Sequence, residues 1–129
     1  MVATDSEIWL IGGRNSDGFS LTTTIRYEIK TKRWTLFQEF PMYPRHSAAC
    51  FMDMTSGEIV VIGGTNGNTL PPQVLDTIEE AQVLRDSQED TLLRLSKSTE
   101  FRNKLPTPLV GPIVTSLGMV MSYYGIFTE

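Results

Sequence analysis

Six residues recur in this chain: IWLIGG at positions 8–13 and IVVIGG at positions 59–64. Gly63 follows Gly12 by 51 residues. A spacing near 50 residues is the mark of a repeat architecture, in which no unit buries its own apolar face and neighbours must stack. Ile8–Ile11 and Ile59–Ile62 are short, continuous, β-branched-rich runs closed by a glycine pair. That pattern predicts strands buried on both faces, with the glycines allowing close backbone approach and a tight exit.

The residues after each glycine pair also correspond. Residues 14–20 (RNSDGFS) predict a polar loop with Asp17-Gly18 as its turn. In residues 22–30, Ile25, Tyr27 and Ile29 alternate with Arg26, Glu28 and Lys30, which predicts a half-exposed strand. A turn at 31–33 leads to a strand carrying Trp34, Leu36 and Phe37, and after Pro41 and Pro44 the stretch 45–52 (RHSAACFM) predicts a further strand. Four strands therefore make one unit. In the second copy, residues 65–73 take the place of the loop and residues 76–84 (DTIEEAQVL) that of 22–30. Leu92, Leu93 and Leu95 take that of Trp34 and Leu36. Propensity alone favours a helix over 72–95; the repeat register favours strands, and burial overrides propensity. A looser third copy is read over 112–125, with Gly118 near the place of Gly57 and Gly125 near the glycine pair.

The first copy resembles the kelch repeat: four apolar residues, Gly12-Gly13, a variable loop, Tyr27, six residues, then Trp34, with Arg45-His46 ahead of the next apolar strand. The match is specific over the first 64 residues and thins to register beyond them, where the Tyr and Trp are missing. The resemblance implies an all-β fold, a kelch-type β-propeller fragment of two to three four-stranded blades whose ring is not closed. Its parts are the end of one blade over 1–44, a second blade over 45–108 and the start of a divergent third over 109–129. Gly12, Gly13, Tyr27, Trp34, Arg45, His46, Gly63 and Gly64 are its structural signature. At about 50 residues per blade the chain supplies two to two and a half blades, so it is expected to be part of something larger. One blade face left open, about 300 Å², forfeits about 8 kcal/mol as an upper bound. Tyr27 and Trp34 are expected to pack between blades, with Trp34→Ala destabilising by about 3–5 kcal/mol.

Composition narrows the roles. Eleven Lys and Arg against 15 Asp and Glu give a net charge of −4, with no basic run, which argues against a nucleic-acid partner. Cys50 is the only cysteine, so no internal disulfide forms, and it reads as a small core residue. A lone thiol fits a cytoplasmic setting. Asp5 and Glu7 fall where a signal peptide would carry basic residues. Residues 109–127 lack charge and are long enough to nominate a membrane span, but Gly111, Pro112, Gly118 and Gly125 punctuate them as strands and turns, so a membrane partner is not expected.

No catalytic constellation appears. His46 is the only histidine, so a multi-histidine metal site cannot form, and it reads as structural. GGRNSDG at 12–18 is neither a dinucleotide fingerprint nor a P-loop. Glu79, Glu80, Glu89 and Asp90 read as solvated. No cofactor is expected. The favoured role is a non-enzymatic protein-interaction module, its partner another protein, with loops 14–20 and 65–73 as the contact surface. The resemblance adds scaffolding or substrate recognition in ubiquitin ligases, though no BTB or F-box segment is present. A fragment of an oxidase-like propeller enzyme, with its catalytic residues outside this chain, is the alternative.

Overall fold

The computed structural model describes residues 1–38, 40–53, 56–84, 94–97, 104–108, 110–117 and 120–126. Among these residues the chain is all-β, with two four-stranded antiparallel sheets of the same plan. The first runs β1 (Val2–Ala3), β2 (Glu7–Ile11), β3 (Thr23–Glu28) and β4 (Arg33–Gln38), in that spatial order. The second is built likewise from β5 (Ala49–Asp53), β6 (Glu58–Ile62), β9 (Ile78–Leu84) and β10 (Arg94–Lys97). A small hairpin, β7 (Thr65–Asn66) with β8 (Gln73–Val74), interrupts the second sheet where the first has a plain loop. β11 (Val110–Leu117) and β12 (Val120–Ile126) form a further antiparallel pair.

The two glycine-pair strands occupy the same place: β2 and β6 are each second in their sheet. The register repeats as well, since Ile8 pairs with Tyr27 and Ile59 with Ala81. The helix alternative therefore fails over 78–84, where pairing to β6 satisfies the backbone. The last strand departs from the expected register. Lys97 pairs with Ala81 as Trp34 pairs with Tyr27, whereas Leu95 pairs with Val83. Leu92 and Leu93 lie outside the described residues, as do Glu89, Asp90 and Gly118. Over the uncharged C-terminal stretch the described residues are strands, and no helix among the described residues is long and apolar enough to cross a membrane.

The core lies between the sheets. Trp9, fully buried, shares one core cluster with Val2, Phe40, Ile59, Val61 and Ala81, and stacks on Phe37 at 5.7 Å between ring centroids. On the far face of the second sheet, Val60 and Ile62 pack on Leu105. Phe40-Pro41 and Leu105-Pro106 are thus related: each places an apolar residue, just after its sheet, on that sheet's second strand. β6 is buried on both faces as expected, because something covers each face.

β2 is not. Its even-numbered side chains, Ile8 and Leu10, line an outer face with Ile25, Tyr27, Trp34 and Leu36, and Trp34 is 61% exposed. Trp34 touches Tyr27 at 4.5 Å between ring centroids. It is not packed between sheets, because no sheet among the described residues covers that face. β3 turns its polar set inward: Thr24 and Arg26 are buried and Ile25 is not. The inward polar residues are satisfied there. Thr24 Oγ1 donates to Phe40 O at 2.8 Å, and Arg26 bonds Glu7 at 2.9 Å and Glu28 at 2.7 Å. Trp34→Ala is therefore expected to cost about 0.5–1.5 kcal/mol, the worth of one aromatic pair. Denaturant unfolding measures it, and a loss above about 3 kcal/mol would mean the face is covered after all.

Candidate functional site

The two glycine pairs open toward one connection. Gly12, Gly13, Gly63 and Gly64 all have positive φ, between 64° and 106°, which turns the chain sharply out of each strand. Arg45-His46 runs between these exits rather than within a strand, which begins only at Ala49. The backbone of Arg45 serves the first sheet: Gly13 N–H donates to Arg45 O at 2.8 Å, and Arg45 N–H donates to Leu21 O at 3.3 Å. The backbone of His46 serves the second: it exchanges hydrogen bonds with Thr65, at 3.0 and 2.9 Å. A Cβ on Gly12 would sit 2.5 Å from Arg45 O, and one on Gly64 2.6 Å from His46 O. The glycines are needed for this approach, so Arg45-His46 acts as a backbone staple between the sheets.

The side chain of Arg45 is fully buried. Its Nη1 donates to Gly63 O at 2.8 Å and Thr77 O at 3.2 Å, and its Nη2 donates to Thr77 Oγ1 at 2.8 Å and to Glu79 Oε2. Burial pulls the guanidinium pKa down and Glu79 opposes the shift; the net direction is downward, yet the group remains a cation. Glu79 is buried too, and also accepts the Met42 and Tyr43 backbone N–H groups. This corrects the reading of Glu79 as solvated. The signal was its parity with Ala81 and Val83, which puts it on the core face of β9.

His46 sits at the rim, half-buried between the two polar loops. Its Nδ1 lies 2.8 Å from Ser20 Oγ, which accepts the Gly67 N–H at 2.8 Å. Ser20 N–H donates to Asn68 Oδ1 at 2.8 Å, and Asn68 Nδ2 donates back to Ser20 O at 3.0 Å. Loop 14–20 of the first repeat and residues 65–74 of the second are thereby joined into one platform. Phe19, 57% exposed, and Leu70, 99% exposed, belong to it. Burial, then Arg14, lowers the His46 pKa. Cross-loop partners Ser20 and Asn68 carried no readable sequence signal, since nothing local relates residues 48 apart.

Of the signature residues, the structure gathers the four glycines with Arg45 and His46. Tyr27 and Trp34 meet each other on the outer face of the first sheet instead. Cys50 is half-buried in β5 against the core. Among the described residues no group of three His, Cys, Asp or Glu could hold a metal.

Stacked, equivalent four-stranded sheets tied by a staple at their glycine exits define a propeller-type repeat protein. Residues 1–41 match the Kelch motif, so the first sheet carries a kelch repeat, and the described residues as a whole are all-β, in open antiparallel sheets consistent with part of a kelch-type propeller. No curated protein matches the chain.

Proposed function

We propose that this chain is a non-enzymatic protein-interaction module whose contact surface is the platform formed by loops 14–20 and 65–74. The observation that carries the reading is the reciprocal Ser20–Asn68 pairing, which holds together the loops from two repeats that carry exposed Phe19 and Leu70. Exposed apolar side chains on loops tied to a rigid scaffold are the form a protein-binding hot spot takes. Ser20 and His46 resemble a nucleophile and its base only in distance. Ser20 is buried, and its hydroxyl is already engaged by Gly67. Scaffolding or substrate recognition within a larger protein is the finer role proposed for it, on the resemblance to kelch proteins alone.

Photo-cross-linking tests this directly. A benzophenone side chain placed at 19 or 70 should trap a discrete partner, and one placed at 34 should not. Phe19→Ser with Leu70→Ser should weaken the trapped interaction at least about 30-fold, the loss expected of a hot spot. Trapping from position 34 alone, or unchanged affinity in the double variant, would overturn the platform as the contact surface.

A further inference from the structure

We infer that two copies of this chain pair through β4, edge to edge and antiparallel, joining their first sheets into one. The inference goes beyond the loop platform, since β4 shares no residue with loops 14–20 and 65–74.

The ladder fixes which backbone groups are open. Gly12 N–H donates to Thr23 O, so the odd-numbered residues of β3 bond β2 and the even-numbered ones bond β4. The register then commits Arg33, Thr35 and Phe37 to β3, opposite Glu28, Arg26 and Thr24. Trp34, Leu36 and Gln38 turn their N–H and C=O groups to the far side, where the sheet ends. All six residues of β4 pair with β3 without a register shift, so the edge is regular.

Among the described residues, the other edges of the two four-stranded sheets are guarded. β1 is only two residues long. β5 lies against β1 and β11. β10, which stands in the second sheet where β4 stands in the first, carries Arg94 and Lys97. Between Arg33 and Gln38, β4 has only Trp34, Thr35, Leu36 and Phe37. It lacks the charges, prolines and bulges by which an edge strand refuses a partner.

The strand is suited to its own copy. In chain order Lys32 and Arg33 precede the apolar run and Glu39 follows it. Antiparallel copies bring unlike charges together at both ends, whereas parallel ones would oppose like charges. Outward groups can exchange hydrogen bonds only with outward groups. The two registers with the fullest overlap therefore set Leu36 opposite either Leu36 or Trp34 of the second copy. Both gather the exposed Trp34 and Leu36 of the two copies on one face as cross-strand neighbours. Two six-residue strands fall short of the about 1,200 Å² that a stable interface buries. The expected dissociation constant is therefore about 10–100 µM. At the nanomolar concentrations at which the cross-linking is read the copies are apart, and position 34 stays silent there.

Analytical ultracentrifugation of the full chain tests the pairing. Between about 5 and 500 µM the average mass should climb toward twice that of the chain and level off. Leu36→Lys and Leu36→Glu, each at an exposed position, should weaken association at least about 10-fold, and an equimolar mixture of the two should restore it to within about 3-fold of wild type. Amide exchange over the same concentrations locates the contact. Protection at Trp34 and Leu36 should rise at least about 5-fold, while Thr35 and Phe37, already bonded to β3, keep theirs. A mass independent of concentration or climbing past twice the chain, a mixture as monomeric as its parts, or a dimer that leaves the amides of 34 and 36 unprotected would overturn the inference. Failure of the platform would appear in the cross-linking and leave these measurements untouched.

Discussion

Arg45→Met should destabilise the protein by about 3–5 kcal/mol, the cost of leaving a buried carboxylate without its cation. Glu79 would keep only the two backbone N–H groups of residues 42 and 43. Gly63 O would lose its Arg45 donor at the same stroke, and Thr77 O would be left with the Gly63 N–H. A methionine fills similar space, so the loss is electrostatic and hydrogen-bonding rather than a cavity. Arg45→Met combined with Glu79→Gln should then cost less than the two single changes added, by more than about 1 kcal/mol, because residues in one network do not act independently. Urea unfolding of the four proteins gives the cycle. Arg45→Met within about 1 kcal/mol of wild type would show that the buried ion pair does not hold the sheets together.

Trp9→Ala should cost about 3–5 kcal/mol, in contrast to the small loss expected at Trp34. The two tryptophans sit in similar apolar strands, but one is fully buried between sheets and the other is 61% exposed. Removing the Trp9 indole empties the centre of the inter-sheet core, which lined-up strands cannot collapse to fill. Trp9→Phe should cost much less. The Trp9 Nε1 has no hydrogen-bond partner among the described residues, so phenylalanine gives up volume but no bond. Differential stability of the two alanine variants in chemical denaturation is the check. Equal losses would contradict the burial of Trp9 as the fold's anchor.

Legibility varied by residue for physical reasons. The strands at 8–11 and 59–62 were readable because a repeated run of apolar residues closed by glycines has few other uses. The strand at 78–84 was readable only through the repeat, since its Glu, Ala, Gln and Leu content points to helix and pairing with β6 overrides it. The inward turn of Arg26 and Thr24 was not readable. Alternation says that two faces differ but not which one is covered, and here the polar set is buried with partners from Glu7, Glu28 and Phe40. The same ambiguity misplaced Trp34. At the candidate site, Arg45-His46 stood out as a motif, yet its work depends on Gly13, Leu21, Gly63, Thr65, Thr77 and Glu79, which lie scattered along the chain.

The amino-acid order by itself determined the repeat, the antiparallel units and the glycines at each strand exit, because these depend on period and on local backbone freedom. Tertiary structure alone decided which face of each sheet is covered, that Glu79 joins Arg45 in the core, and that Ser20 meets Asn68. Those outcomes depend on where the second sheet lands against the first. Burial and charge pairing across that gap are set by distance in space, which no local pattern encodes.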